Sequence, residues 1–420
     1  MLTLGAPAHA NEPAAVELAL TITPATAVSG HTVGVSPSAP CPAAPNGTNR
    51  NAHVALVDTP GQRLVDSHLV TTDADGKWSV SVTPSGRNGR YWVIAQCDAG
   101  DGTAYATYKP APVDIVSPPN APDPVARIAG ADRIATSIAA SQDIFGPAST
   151  NALVLSRADS YADALAGTPL AAAYGGPLLL TPGDSLDQRT ATEVSRVLRP
   201  QGTVFLLGGT AALDDSVAES LKADGFIIDR LAGPDRYATA VAVADAIGTP
   251  TTFLLADGGD YTTGLVAGVA AAAADPSTDG GAVLLTDGTH MPDTTAAYLA
   301  AHHDVRRYAV GVQSAAADPG AVAIVGDDPG DTSQRVAATF FPNAAAVGVA
   351  SVASFADALS GGAHVAAFGG PLLLTDGTSL NPSVQRYLSA NHSSIVIGYV
   401  YGGGGAVTDQ TVAAVQAAIS

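Results

Sequence analysis

Two arginines stand out by type and by setting. Gly-Ala-Asp-Arg at 130–133 and Gly-Pro-Asp-Arg at 233–236 each put an acid and then an arginine where a helix should begin. Asp132 and Asp235 would face the positive end of the helix, and Pro234 suits a first turn. Arg133 and Arg236 carry planar, five-donor guanidinium groups. Those suit bidentate capture of a phosphate or carboxylate, and equally an ion pair with a neighbouring segment; both readings stay open. A third candidate is Arg335, which follows Gln334 where the other two copies have an aspartate. Glycines between strand-like and helix-like stretches, Gly208-Gly209, Gly403-Gly404 and the lone Gly311, either let backbone N–H groups approach an anion or simply form tight turns. None of them belongs to a Walker motif or a dinucleotide fingerprint, so no nucleotide cofactor is implied.

The block Ser160-Tyr161-Ala162-Asp163 puts an acid near the carboxyl end of a strand, where open α/β sheets bind ligands. It also reads as a helix capping box, and Ser354-Phe355-Ala356-Asp357 repeats it, so Ser160, Asp163, Ser354 and Asp357 are assigned to capping. Asp327, Asp328 and Asp331 read as a solvated acidic loop, and His302 and His303 beside Asp304 lack a third ligand at metal spacing, so no metal site is assigned. There is no Gly-x-Ser-x-Gly elbow, no His-Glu-x-x-His helix, and no base near either cysteine; no catalytic residue is assigned.

The elements that must position these groups fall into two kinds. From residue 12 to 115, short β-rich runs such as HVALVD, KWSVSV and RYWVIAQC alternate with Asn-Gly, Pro-Gly and Asp-Gly turns, which predicts an all-β sandwich. Asp73-Ala74-Asp75-Gly76 reads as a hairpin turn, because it lacks the distal glutamate of a calcium loop. Cys41 and Cys97 both lie in this stretch and are expected to pair in an exported protein. Residues 1–11 end in Ala8-His9-Ala10 and read as the remnant of a signal peptide. Six prolines between Pro110 and Pro124 predict a stiff linker over 116–126. Beyond it, apolar strands alternate with Ala-rich amphipathic helices, which predicts parallel sheets covered by helices. In the first unit the helices are expected over 131–143, 161–174, 186–198 and 214–223, with strands at 153–157, 177–181, 204–208 and 226–230.

The same unit then recurs about a hundred residues on, and again after that. RIAGADRIATSIA at Arg127 returns as RLAGPDRYATAVA at Arg230. SYADALAG around Tyr161 returns as DYTTGLVAG around Tyr261 and SFADALSGG around Phe355, while GGPLLLT at Gly175 returns at Gly280 and Gly369. VFLLGGTAALDDSV at Val204 returns as YVYGGGGAVTDQTV at Tyr399. The units are set at 127–229, 230–324 and 325–420. The third opens as IVGDDPGDTSQRVAATF, read as carrying an insertion after its glycine.

These four blocks, in this order, resemble the cell-wall-binding repeat type 2 family, which occurs as three tandem repeats on surface and S-layer-associated proteins of Gram-positive bacteria. The resemblance implies three Rossmann- or flavodoxin-like α/β repeats in a pseudo-threefold unit, held without covalent bonds to an anionic or neutral, teichoic-acid-like wall glycopolymer. The N-terminal part is similar in architecture to the immunoglobulin-like domains common on bacterial surface proteins; its partner is not named by the sequence. The alternatives are a wall hydrolase such as an amidase, since the same repeats accompany such domains, and an adhesin or S-layer subunit.

The chain of 420 residues is 46% hydrophobic and 14% charged, enough apolar material for more than one core. Its 19 basic and 38 acidic residues, a formal charge of −19, argue against nucleic acid or an anionic membrane surface as main partner. The longest apolar run of the domains, Gly264 to Ala274, is shorter than the roughly 20 residues of a membrane span. The expected setting is the cell wall of a secreted protein, with the wall polymer held by Arg133, Arg236, Arg335 and the glycine-bearing turns.

Overall fold

The structure is a computed structural model that describes residues 19–23, 26–28, 33–42, 51–57, 64–73, 75–82, 89–98, 104–116, 124–273 and 280–420. The chain divides into two compact units, residues 1–118 and 119–420, and each is described by itself. The expected signal-peptide remnant over 1–11 lies outside the described residues, as does the centre of the expected linker, 117–123.

The first unit contains β1 (Leu20–Thr23), β2 (Thr26–Val28), β3 (Val33–Pro37), β4 (Asn51–Val57), β5 (Leu64–Thr71), β6 (Val80–Val82), β7 (Gly89–Asp98), β8 (Ala104–Thr107) and β9 (Ala111–Val116). One sheet, antiparallel, has the order β1-β3-β6; the other runs β2-β9-β7-β4-β5, with β8 also on β7, and is antiparallel except for the parallel pair β2 and β9. Alternation along the strands sends Ala52, Val54 and Leu56 of β4 and Tyr91, Val93, Ala95 and Cys97 of β7 into one core with Val33, Val35 and Val82 of the smaller sheet. Cys41 and Cys97 are bonded within that core. The Trp78 ring meets Tyr108 edge-on, and its Nε1–H donates to the Tyr108 hydroxyl at 3.2 Å. Two expectations need correction. The expected linker of 116–126 is shorter, because residue 116 ends β9 and residues 125–126 begin the next strand, Val125–Ile128; Val113 of β9 is buried, and Pro112 lies outside the stretch of β9 that pairs with β2. The Asp73 turn exists, with its carboxylate accepting from the N–H groups of Asp75 and Lys77, but it joins β5 of one sheet to β6 of the other and is no hairpin.

The second unit opens with β10 (Val125–Ile128), α1 (Arg133–Ile144), β11 (Thr150–Arg157), α2 (Gly167–Ala173), β12 (Leu178–Thr181), α3 (Gln188–Val197), β13 (Leu198–Leu207), α4 (Asp215–Ala223) and β14 (Ile227–Leu231). The next repeat comprises α5 (Arg236–Ile247), β15 (Thr252–Asp257), α6 (Tyr261–Ala273), β16 (Gly281–Thr286), α7 (Asp293–Ala301), β17 (Arg306–Val310), α8 (Val312–Ala317) and β18 (Val322–Ile324). The last comprises α9 (Pro329–Phe340), β19 (Ala346–Ser351), α10 (Phe355–Ala367), β20 (Leu372–Thr375), α11 (Pro382–Ala390), β21 (Ile397–Tyr401) and α12 (Asp409–Ile419).

All three sheets are parallel and four-stranded, with orders β12-β11-β13-β14, β16-β15-β17-β18 and β20-β19-β21-β10. Near-continuous apolar strands explain this, because both faces of such a sheet are buried. In the first repeat Leu153, Leu155 and Leu206 pack against Val194 and Val197 of α3 and Val217 and Leu221 of α4, while Val154 and Leu207 on the other face lie close to Gly167 at the start of α2. Each fully buried leucine or valine contributes about 1.5–3 kcal/mol.

The fourth strand of each sheet leads directly into the first helix of the next repeat, and β10, the first strand, completes the sheet of the last repeat. The repeats thus close into a ring. Its centre is the mutual packing of α2, α6 and α10. Gly264 and Gly268 of α6 allow that approach: a Cβ on Gly264 would lie 2.9 Å from the Leu165 side chain of the first repeat, and one on Gly268 3.2 Å from Thr168. Among the described residues no helix is long and apolar enough to cross a membrane.

Candidate functional site

The carboxyl ends of the three parallel sheets converge where Tyr161, Tyr261 and Phe355, equivalent residues of the three repeats, meet with ring centroids 5.2, 5.7 and 6.0 Å apart. The Tyr161 hydroxyl donates to Gly259 O at 3.1 Å, and that of Tyr261 donates to Val352 O. Each thereby ties one repeat to the next.

Arg133 and Arg236 belong to this cluster. Both follow an aspartate N-cap: the Asp132 carboxylate accepts from Ala135 N–H, and that of Asp235 from Ala238 N–H, each at 2.8 Å. Arg133 donates to Ala158 O at 2.7 Å and lies over the Phe355 ring of the third repeat, 5.6 Å from its centroid. Arg236 donates to Gly258 O and lies over Tyr161 at 5.8 Å. Neither has a carboxylate within ion-pair distance among the described residues. The joint between repeats is a cation–π contact, which leaves N–H donors of both guanidinium groups for something else.

Arg335 is not the third copy. In α9 the N-cap is Asp328, which accepts from Asp331 N–H at 2.8 Å, so Pro329 stands where Arg133 and Arg236 do. Gly326 N–H donates to Thr332 Oγ1 as Gly130 and Gly233 do to Thr136 and Thr239, which shows that the third repeat carries no insertion there. Arg335 lies further along the helix, with Nε donating to Asp331 at 2.8 Å, one turn back. That bond holds the Asp331 carboxyl below its usual value.

The glycine turns are arranged for packing. Gly208, Gly311 and Gly402 have φ of 95°, 89° and 97°, and their N–H groups donate to Leu231, Ile324 and Ile128 O of the fourth strands. The niche left by each missing Cβ is filled by Asp163, Thr263 and Asp357, respectively. Gly209, Gly403 and Gly404 have open space beside them, and Gly209 O and Gly403 O accept from the following turn; Gly402-Gly403, not Gly403-Gly404, is the counterpart of Gly208-Gly209. The capping assignment is corrected for Ser160 and Asp163, because α2 begins only at Gly167. Ser354 is the N-cap of α10, yet its hydroxyl donates to the Asp357 carboxylate at 2.8 Å instead of accepting from the helix backbone.

Beside Arg133, at the ends of β11, β12 and β13, opens a cleft of about 640 Å³ lined by Arg133, Arg157, Asp159, Asp184, Thr210 and Asp214 among others. Arg157 is closed on Asp159 by two hydrogen bonds of 2.6 and 2.8 Å, which hold the Asp159 carboxyl low. Asp214 is held low by the N–H of Ser216. Arg157 was not singled out in the sequence, although a charged residue ending the apolar run LVLSR was its signal. Arg127 and Arg230 show in the sequence only as the first residues of a repeated motif. Arg127 donates to Gly402 O and Val407 O, both at 2.8 Å, and Arg230 to Gly208 O and Leu213 O, so each ties an incoming strand to a glycine turn. No group of metal-ligating side chains occurs among the described residues.

Comparison with known proteins places this geometry. The chain is similar to the N-acetylmuramoyl-L-alanine amidase LytC of Bacillus subtilis, 26% identical over 276 residues, and spans 54% of that protein's length with 64% of its own. It is 28% identical over 167 residues to an amidase enhancer of the same organism, 40% of this chain and 22% of that one. Among solved structures, Cwp6 from Clostridium difficile has a TM-score of 0.65 at 17% identity, covering 96% of this chain and 68% of that one. Cwp8 from the same organism has a TM-score of 0.64 at 14% identity, covering 93% and 89%. At such identities the structural likeness speaks for the fold. The model of cell wall binding domain 2 matches residues 127–218, 230–319 and 323–412, and the chain belongs to that family.

Proposed function

We propose that this is a secreted, non-catalytic protein of the cell surface whose ring of three repeats anchors it to a wall glycopolymer without covalent bonds. The match of three tandem wall-binding repeats carries the reading. Two features of the ring support it. The carboxyl ends of its sheets, where parallel α/β sheets bind ligands, converge on one centre, and two arginines there retain unused donors. The N-terminal sandwich is then the displayed part.

Pull-down of the full chain on purified Gram-positive walls tests this. Binding is expected, and Arg133→Ala with Arg236→Ala should weaken it by about tenfold, a loss of roughly 1.4 kcal/mol. Both arginines also join repeats, so a thermal melt must show the double variant folded. Undiminished binding by the folded variant would remove these arginines from the site. Failure of the unmodified protein to bind any wall would remove the reading itself. A clear lytic band in a zymogram would favour the hydrolase over the anchor.

A further inference from the structure

We propose that the N-terminal sandwich is itself a binding module, and that the outer face of its larger sheet takes an uncharged glycan chain stacked on Trp92. This goes beyond the anchoring role of the ring and does not depend on it. Alternation along β7 sends Tyr91, Val93, Ala95 and Cys97 to the core, so Trp92, Ile94 and Gln96 stand on the opposite face. A sheet with one face on a core is normally polar on the other. Register instead sets Trp92 between Val57 of β4 and Pro112 of β9, and Ile94 against Ala55. None of these five joins the core cluster on the far side of the sheet. Val57 and Ala55 are buried, while Trp92, Ile94 and Pro112 are half-buried. The Trp92 indole N–H has no hydrogen-bond partner among the described residues. Leu69 of β5, opposite His53 on the same face, is 67% exposed.

Charge, area and shape choose the occupant. The charged groups balance: Arg90 Nε donates to the Asp114 carboxylate at 2.9 Å, and Lys109, between β8 and β9, is offset in sign by Asp98 at the other end of β7. Neither a polyanion nor a polycation is favoured by such a face. By strand spacing and rise, the strip from Arg90 to Asp98 across β7, its neighbours and β5 covers about 400 Å², half of the roughly 800 Å² per partner in a standard protein interface. A second copy of the chain therefore gains too little from it. A pleated face also lacks the strand edge and the side-chain pockets by which extended peptides are held. A sugar ring suits what remains. Its C–H face lies on the indole, and its hydroxyls reach the unpartnered indole N–H, the His53 ring and the amide oxygen of Gln96, whose Nε2 is fixed on Asp98 at 2.8 Å.

Titrating the full chain with two uncharged hexasaccharides, chitohexaose and cellohexaose, tests this. The chain's two tryptophans, Trp78 and Trp92, both lie in the first unit, and Trp78 is only 6% exposed, so a change in tryptophan emission reports on this face and not on the ring. At least one hexasaccharide should shift the emission saturably, with Kd below about 1 mM. Gln96→Ala, which keeps the reporter, should raise that Kd at least about fivefold. Calorimetry on Trp92→Ala, shown folded by its thermal melt, should find it raised at least about tenfold. No saturable shift with either sugar up to about 10 mM would overturn the proposal. So would a Kd unchanged in both variants. A concentration-dependent dimer in sedimentation velocity, dissociated by Trp92→Ala, would overturn it too, by showing that a second copy covers the face.

Discussion

The joints between repeats one and two and between two and three share a tyrosine contact that the joint closing the ring from three to one lacks. At the first two, a tyrosine hydroxyl reaches across to a backbone carbonyl, from Tyr161 to Gly259 and from Tyr261 to Val352. At the third, Phe355 has no hydroxyl, and Ala158 O accepts from Arg133. In exchange the closing joint buries His364 of α10 completely, with Nε2 3.0 Å from Asp143 of α1 and Nδ1 2.8 Å from the Tyr401 hydroxyl. Burial pushes the Tyr401 phenol far up, so it stays protonated and donates to Nδ1, and the Nε2–H donates to Asp143. The sequence-distant joint, which must bring residues near 140 to residues near 364, is also secured by the pairing of β10 with β21 and by Arg127. The difference teaches that closure of a tandem array by its own ends is held by polar contacts specific to those ends, while successive joints reuse one repeated contact.

The largest test breaks a successive joint by force. Gly264→Val sets a branched side chain against Leu165, and differential scanning calorimetry should show the ring's transition lowered by about 3 kcal/mol. An unchanged transition would mean that α2 and α6 slide apart without cost.

Acidity should single out the closing joint. Burial lowers the His364 pKa below the ordinary imidazole value of 6.5, against the smaller opposing pull of Asp143; Tyr399 and Tyr401 of β21 and Phe368 are its other neighbours. The folded state therefore binds fewer protons than the unfolded chain below 6.5, and stability falls as pH drops through that value and onward. The slope approaches about 1.4 kcal/mol per pH unit for this one group. His364→Leu, which copies Leu170 of the first repeat, should be less stable at neutral pH yet flatter in urea melts between pH 6.5 and 5. Equal slopes in both proteins would show that His364 takes up its proton without opening the joint.

Smaller effects belong to the hydroxyls. Tyr261→Phe removes the bond to Val352 O and should cost about 1 kcal/mol in the same melts. The reciprocal change, Phe355→Tyr, should gain less than about 0.5 kcal/mol, because Arg133 already occupies Ala158 O. A larger gain would show that the three joints are interchangeable after all.

Much of the fold was legible because each rule involved is local. Alternation in β4 and β7, apolar runs such as LVLS and PLLL, and the aspartates Asp132 and Asp235 before two of the first helices all act within a few residues. The misreadings have local causes too. Residues 161–166 look helical by composition but form a turn, since Asp163 is drawn to the niche beside Gly208. Matching Arg335 to Arg133 and Arg236 puts the third helix start at Gln334-Arg335, whereas the cap chemistry, Asp328 with the Gly326 to Thr332 bond, lies six residues earlier.

By itself, then, the sequence determined two units of different kind, three α/β copies and the aspartates that start the first helix in two of them, because periodicity and capping depend on near neighbours along the chain. Only the tertiary structure decided that β10 belongs to the last sheet, that Arg133 and Arg236 lie over aromatic rings of other repeats, and that His364 meets Asp143. These contacts join residues that are far apart in sequence, and their partners are selected by the closure of the ring, which no short pattern encodes.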